Sequence, residues 1–342
     1  MGGRLIFISL ISFLGISFLA IIAGMYFYMK RTVSGGKSLL DEAVNMEENT
    51  SRMTLGELLV YVSAILVALL FAVRLMDRGG SGFANLAKFI VLPPVMAFFN
   101  ARKRTGRSVF VIMGAVIFSF YMFMVYIIIG VPVKAPVFTI NDTEITMAHT
   151  TVSDIVADGF DIYIRQNDSY DMDYDTILSS GAFQKYPCDR SVLVEKGFRR
   201  NSNTIYDSPY LLVKDGVVMG GIGLYGEKTK EIVLEDCKVI QFKCDENCIT
   251  SARENAMNYR LDNMELLSLL NLETLQKTFD EKLWLVPPSN TKDVTQLHYG
   301  IKWSSWSDHI FWNEYYAYID FDERNYMTGF EVSTEVARDG NE

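Results

Sequence analysis

Three histidines, His149, His298 and His309, are all the imidazole this 342-residue chain has. His298 precedes and His309 lies within "IKWSSWSDHIFW", where Asp308 and several serines stand close by. Those types could make a hydrolase: a serine attacks once an imidazole takes its proton and a carboxylate steadies the ring. The sequence form of such a nucleophile, G-x-S-x-G on a strand-to-helix turn, does not occur. Neither the H-E-x-x-H metalloprotease pattern nor the P-loop is present, and no dinucleotide-binding turn is expected. Asp171, Asp173 and Asp175 open like a calcium loop. The sixth position is Thr176 instead of glycine and the twelfth is Ala182 instead of glutamate, so a solvated acidic loop is the reading. No catalytic residue, metal or cofactor is assigned.

The cysteines, Cys188, Cys237, Cys244 and Cys248, all lie in the second half of the chain. Their C-x6-C-x3-C spacing misses the short knuckles of zinc sites. An even number in one exported domain points to disulfides, with a local Cys244–Cys248 link and a long-range Cys188–Cys237 link expected. Trp303-Ser-Ser-Trp306-Ser resembles the WSxWS box of cytokine receptors. That box belongs to a β-sandwich, which would not hold the long helical stretch read here before it. With Trp312, Tyr315 and Tyr316, the two tryptophans form an aromatic run typical of antiparallel strands. Trp303, Trp306, Trp312, Tyr315 and Tyr316 are the expected binding surface, since exposed aromatic planes suit sugars and partner proteins alike.

Charge divides the chain that must position these residues. Residues 1–133 carry 12 Lys/Arg against 6 Asp/Glu, and residues 134–342 carry 20 against 35. A basic apolar half followed by an acidic polar half predicts a membrane domain (1–133) and an extracytoplasmic domain (134–342). The acidity excludes nucleic acid as a partner, because phosphate binding needs a basic face. Three apolar runs, about 5–29, 55–76 and 108–133, each reach the ~20 residues a helix needs to cross a bilayer. Glu57 and Arg74 are the ionisable residues of the second run, each near an end where it can snorkel to the headgroups. The segment 86–99 is short and broken by Pro93-Pro94, which suits an interfacial or re-entrant helix. Basic residues crowd the loop before the third run, while the loop at 30–53 balances four basic residues against four acids. The positive-inside rule then predicts a multi-pass plasma-membrane protein with its N-terminus cytoplasmic, its first loop outside and its C-terminal domain extracytoplasmic.

In the second half, "APVFTINDTEITM" reads as a strand pair turning at Asn141-Asp142, and "TTVSDIVADGF" as a Thr- or Ser-capped helix stopping at Gly159. "PYLLVKDGVVMGGIGLYG" reads as a hairpin turning at Lys214-Asp215-Gly216. Residues 249–283 read as helical from their leucine spacing, and aromatic strands follow, the last two joined at Asp322–Asn325. An α+β domain with an antiparallel sheet results, with possible subdomains 134–248 and 249–342. The order of a helix at Asn271–Phe279, a Pro-containing loop, "LHYGIKW" and "YAYIDFDERNYMTGFEV" resembles the β-lactamase-inhibitor-protein-like domains of SmpA/OmlA-type envelope lipoproteins. The whole exported half is similar to uncharacterised envelope proteins of Gram-positive bacteria. Two departures stand out: no lipobox cysteine near the N-terminus, and Arg324-Asn325 where the usual turn has glycine. The resemblance implies a binding, sensing or assembly domain that meets a protein or cell-wall partner. An accessory subunit of a transporter or secretion machine is the second expectation, and an envelope hydrolase the third.

Overall fold

The computed structural model of the chain describes residues 2–42, 93, 106–130, 132–166, 173–187, 192–194, 205, 208–268, 270, 272–285, 297–304 and 310–337. Two compact units divide it: Met1–Lys134 with Ser305–Phe311, and Ala135–Ser304 with Trp312–Glu342.

In the first unit, α1 (Gly2–Arg31) and α2 (Gly106–Ile129) are long helices. At 1.5 Å per residue they measure about 45 and about 36 Å, enough to cross a hydrocarbon core. Both are apolar on every side, as a lipid-facing helix is. Phe13, Ile16, Leu19 and Phe120 are each more than half exposed, which water would penalise and lipid would not. The helices run antiparallel. Tyr121 packs on Gly15, Phe18 meets Phe120 and Tyr121 at 6.0 and 5.5 Å, and Tyr26 meets Phe110 at 5.7 Å. A small hairpin, β1 (Val33–Ser34) and β2 (Lys37–Ser38), follows α1 and turns through Gly35-Gly36. The chain after it docks on the start of α2: the Gly106 amide donates to Glu42 O at 3.0 Å and the Arg107 amide to Leu40 O at 2.9 Å. A Cβ at Gly106 would stand 1.7 Å from Leu39 O, so only glycine permits this approach. The expected span at 55–76 with Glu57 and Arg74, and the segment 86–99 except Pro93, lie outside the described residues.

The second unit is α+β. Its first strands are β3 (Val137–Ile140), β4 (Thr143–Thr146), β5 (Asp161–Arg165), β6 (Phe183–Lys185) and β7 (Leu193–Val194). β8 (Tyr210–Lys214), β9 (Val217–Tyr225), β10 (Ile232–Val233) and β11 (Lys238–Cys244) follow. The last are β12 (Tyr259–Leu261), β13 (Met264–Glu265), β14 (Leu283–Leu285), β15 (Leu297–Trp303), β16 (Glu314–Phe321) and β17 (Met327–Glu335). Helix α3 (Val152–Ala157) precedes β5, α4 (Glu246–Glu254) follows β11, and α5 (Leu272–Phe279) precedes β14. Nine strands form one antiparallel sheet in the order β14-β15-β16-β17-β11-β9-β8-β5-β6, and four form a second, β13-β12-β3-β4.

Local chemistry explains the turns. Asp215 and Gly216 adopt φ of 51° and 79°, the left-handed pair that a tight β8–β9 hairpin needs. Asn141, at φ 53°, turns β3 into β4. At the last hairpin Asp322 Oδ1 accepts from the Arg324 and Tyr326 amides at 2.9 and 2.8 Å, and Asn325 takes the left-handed position. Thr151 and Asp154 form a reciprocal capping box at the start of α3.

The core lies between the two sheets. Phe138 of β3 stacks on Phe242 of β11 at 4.3 Å and on Phe330 of β17 at 5.3 Å, with Tyr259 of β12 edge-on at 5.6 Å. The buried Tyr259 hydroxyl donates to Met219 O at 3.0 Å, so its polar end is satisfied. The stretch expected to be wholly helical divides instead. Among the described residues of this stretch only Glu246–Glu254 and Leu272–Phe279 are α-helical, while Tyr259–Leu261 and Met264–Glu265 form a hairpin. Tyr259 and Leu261 are buried and Arg260 exposed, a two-residue alternation hidden among helically spaced leucines. β12 pairs with β3, and β17 sits between β11 and β16, so the stretches 134–248 and 249–342 share one core.

Candidate functional site

Strands β15, β16 and β17 alternate, and their two faces differ sharply in chemistry. One face carries Tyr299, Ile301 and Trp303 on β15, Tyr315, Ala317, Ile319 and Phe321 on β16, and Phe330 and Val332 on β17, all buried. Phe279 at the end of α5 meets Trp303 edge-on at 5.8 Å and closes that end of the core. The opposite face is polar and aromatic. His298, Lys302, Tyr316, Tyr318, Asp320 and Glu331 lie along it, each partly exposed.

Strand register pairs the charges on this face. His298 stands opposite Asp320, with Nδ1 2.5 Å from Oδ1. Glu331 stands opposite Lys243; its carboxylate lies 3.8 Å from Lys243 Nζ and accepts from Gln241 Nε2 at 2.8 Å. Lys302 Nζ is 3.5 Å from Glu314 Oε2, and the Tyr316 hydroxyl donates to the same carboxylate. Burial, then the bond to Glu314, drives the Tyr316 phenol far above its usual range, so it remains a neutral donor. Glu335 faces Glu314 across the β16–β17 ladder. Toward β9 the face closes over: Gln241, Ser333 and Glu314 are buried, and Ser208 lies against Gly221.

The open part lies at the β14–β16 edge. Trp284 of β14 is 41% exposed. Its indole rests on Gly300 of β15, where an added Cβ would come within 2.6 Å of the ring. Tyr318 meets Trp284 edge-on at 6.3 Å. Glycine here lets the indole approach the β15 backbone more closely than any side chain would allow. Trp284 and Tyr318, beside the His298–Asp320, Lys302–Glu314 and Lys243–Glu331 contacts, therefore make a stacking and hydrogen-bonding surface.

No protein family, curated protein or solved structure matches the chain. The site must be read from its own geometry.

Of the five aromatic residues expected as a binding surface, Trp303 and Tyr315 are 4% and 3% exposed and belong to the core. Adjacent residues on a strand point to opposite faces, so Tyr315 and Tyr316 separate. Tyr316 lies on the polar face, Trp312 is half-buried just before β16, and Trp306 lies outside the described residues. Trp284, Tyr318, Glu331 and Lys243 were missed. For Tyr318 the signal was present: every second residue of "EYYAYIDF" is buried, which leaves Tyr316, Tyr318 and Asp320 together on the other face.

His298 gains a carboxylate orienter, the arrangement that leaves Nε2 free for proton transfer. His309 and Asp308 lie outside the described residues, and His149 is exposed after β4. Among the described residues no group of three or more His, Cys, Asp and Glu gathers as a metal site; Asp173 precedes a short 3-10 turn and Asp175 lies within it. Gly221-Ile-Gly-Leu-Tyr-Gly226 has the letters of a dinucleotide fingerprint. It runs along β9 with no helix after it, so it offers no phosphate-binding turn.

The expected disulfides require correction. Cys237, Cys244 and Cys248 are free thiols and fully buried. Cys188 lies outside the described residues, but its expected partner Cys237 is unbonded. Cys244 ends β11, opposite Phe330, and Cys248 lies in the first turn of α4, so both fill the core. Burial pushes the Cys237 thiol up to about 12 and also raises Cys244 and Cys248 well above the usual thiol range. Such thiols are inert packing groups. The redox argument for an exported domain goes with the disulfides.

Proposed function

We propose that this chain is a non-catalytic, membrane-anchored binding protein of the plasma membrane, whose extracytoplasmic α+β domain holds an uncharged, hydroxyl-rich cell-wall glycan on the open face of its large sheet. The observation that carries this reading is the pairing of Trp284 and Tyr318 at 6.3 Å beside polar side chains that pair with one another across the strands. A ligand bound there gains from ring stacking and from hydrogen bonds to paired polar groups, not from net charge. A sugar polymer offers apolar ring faces and hydroxyls in that combination. Two apolar helices supply the anchor and the lipid bilayer its first partner.

The test uses full-length protein in detergent, sedimented with purified, insoluble peptidoglycan. Retention is expected, weakened about tenfold by Trp284→Ala or Tyr318→Ala, in line with the roughly 1.4 kcal/mol that corresponds to a decade. Raising salt should leave retention largely unchanged, because screening acts on unpaired exposed charges. Failure to sediment, or release by moderate salt with no effect of the ring variants, would overturn the reading.

A further inference from the structure

We infer that the residues at the start of α1 and the whole second unit lie on the same side of the membrane, which reverses the expectation of opposite sides. The inference rests on the membrane anchoring of the proposed function and on the geometry of the first unit alone.

Three observations carry it. The helix contacts march in opposite directions, from Gly15 with Tyr121, through Phe18 with Phe120, to Tyr26 with Phe110. The end of α1 therefore lies beside the start of α2. Next, the chain after α1 is bonded to that start: Glu42 O accepts from the Gly106 amide, Leu40 O from the Arg107 amide, and Asp41 pairs with Arg107 at 2.7 Å. Helices about 45 and 36 Å long, crossing a core of about 30 Å side by side, must put these joined ends on one side. Finally, Gly106 is packed against Leu39 O too closely for any side chain, so the junction is built into the chain. Leu40–Glu42 and Gly106–Arg107 therefore lie on one side. The start of α1 and the exit of α2 at Ile129, which leads into β3, share the other.

Counting spans from hydropathy alone gave one crossing between α1 and α2, and so the opposite result. The charges also divide differently about the helix pair. Lys30, Arg31, Lys37 and Arg107 lie at the joined end, and Arg102, Lys103 and Arg104 immediately precede α2 in sequence. The other end has Arg4 and Lys134. The positive-inside rule then assigns the joined end to the cytoplasm, including the first loop that was expected outside. The α1 start and the domain share the extracytoplasmic side.

The experiment places single added cysteines in the full-length chain expressed in cells: Gly3→Cys at the start of α1, Val33→Cys beyond its end, and His149→Cys on the exposed surface of the second unit. Spheroplasts are treated with a membrane-impermeant maleimide, before and after permeabilisation, against the unmodified chain as background. The expected result is that Gly3→Cys and His149→Cys label from outside while Val33→Cys labels only after permeabilisation. If Gly3→Cys and His149→Cys are both protected and Val33→Cys is exposed, the shared side stands and the cell-wall function falls. Labelling of Gly3→Cys and His149→Cys from opposite sides overturns the inference and leaves that function intact when His149→Cys is the exposed one. Release of the chain from membranes by alkaline carbonate overturns both.

Discussion

Phe138→Ala tests whether the two sheets of the second unit share a core at the point where β3 meets β11 and β17. Phe138 is fully buried and stacks on rings contributed by three other strands. Truncating a buried phenylalanine costs about 3–5 kcal/mol through lost transfer energy and the cavity left behind. The ring contacts, each about 0.5–1.5 kcal/mol, place this site at the upper part of that range, since both sheets would have to move to refill the space. A loss near 4 kcal/mol is a large part of the ~5–15 kcal/mol that holds a typical domain together. The assay is urea unfolding of the full-length chain in detergent, followed by tryptophan fluorescence, to which the buried Trp303 contributes. Phe138→Leu, close in volume, should cost under about 1.5 kcal/mol. In a double-mutant cycle, Phe138→Leu and Phe242→Leu should couple by about 0.5 kcal/mol or more, because their rings touch. A Phe138→Ala cost below about 1 kcal/mol, or one no larger than that of Phe138→Leu, would refute the shared core.

Three further predictions concern the same unit. Cys237, Cys244 and Cys248 should resist a thiol reagent at pH 8 in the native protein and react once urea unfolds it, without added reductant; a requirement for reductant would restore the disulfides. Asp154→Ala should cost about 0.5–2 kcal/mol at neutral pH by removing the α3 capping box. Its hydrogen bonds from Thr151 lower the Asp154 carboxyl below its ordinary 3.8, so that contribution is present above pH 3.8 and lost as pH falls through the folded value. Urea midpoints of variant and parent should therefore converge in acid, and a constant gap would refute this role. Glu314→Ala should cost about 1–3 kcal/mol, because it leaves the Lys302 ammonium and the half-buried Tyr316 hydroxyl without their acceptor; a neutral result would show that the carboxylate contributes nothing net to the sheet.

The sequence by itself determined what is encoded within a few residues. A Thr or Ser cap announced the helix at Val152–Ala157, Asp215-Gly216 and Asn141 their turns, and the first and third apolar runs their helices, because caps, turns and hydropathy depend on neighbours along the chain. Tertiary structure decided the rest. The leucines after Met257 have helical spacing, yet Tyr259–Leu261 became a strand because β3 offered it a ladder and the core took its ring. Four cysteines with exported spacing suggested bridges, but Cys244 and Cys248 sit among packed side chains as free thiols. Trp303 and Tyr315 looked like surface, but both are buried, with Phe279 against Trp303, and Trp284 gained its place only when Gly300 came beneath it. Hydropathy likewise marked helices without saying which ends meet, and the bonds from Gly106 and Arg107 to Glu42 and Leu40 supplied that. Each of these outcomes depends on residues far apart in the chain, where burial and pairing outweigh the local preferences a sequence displays.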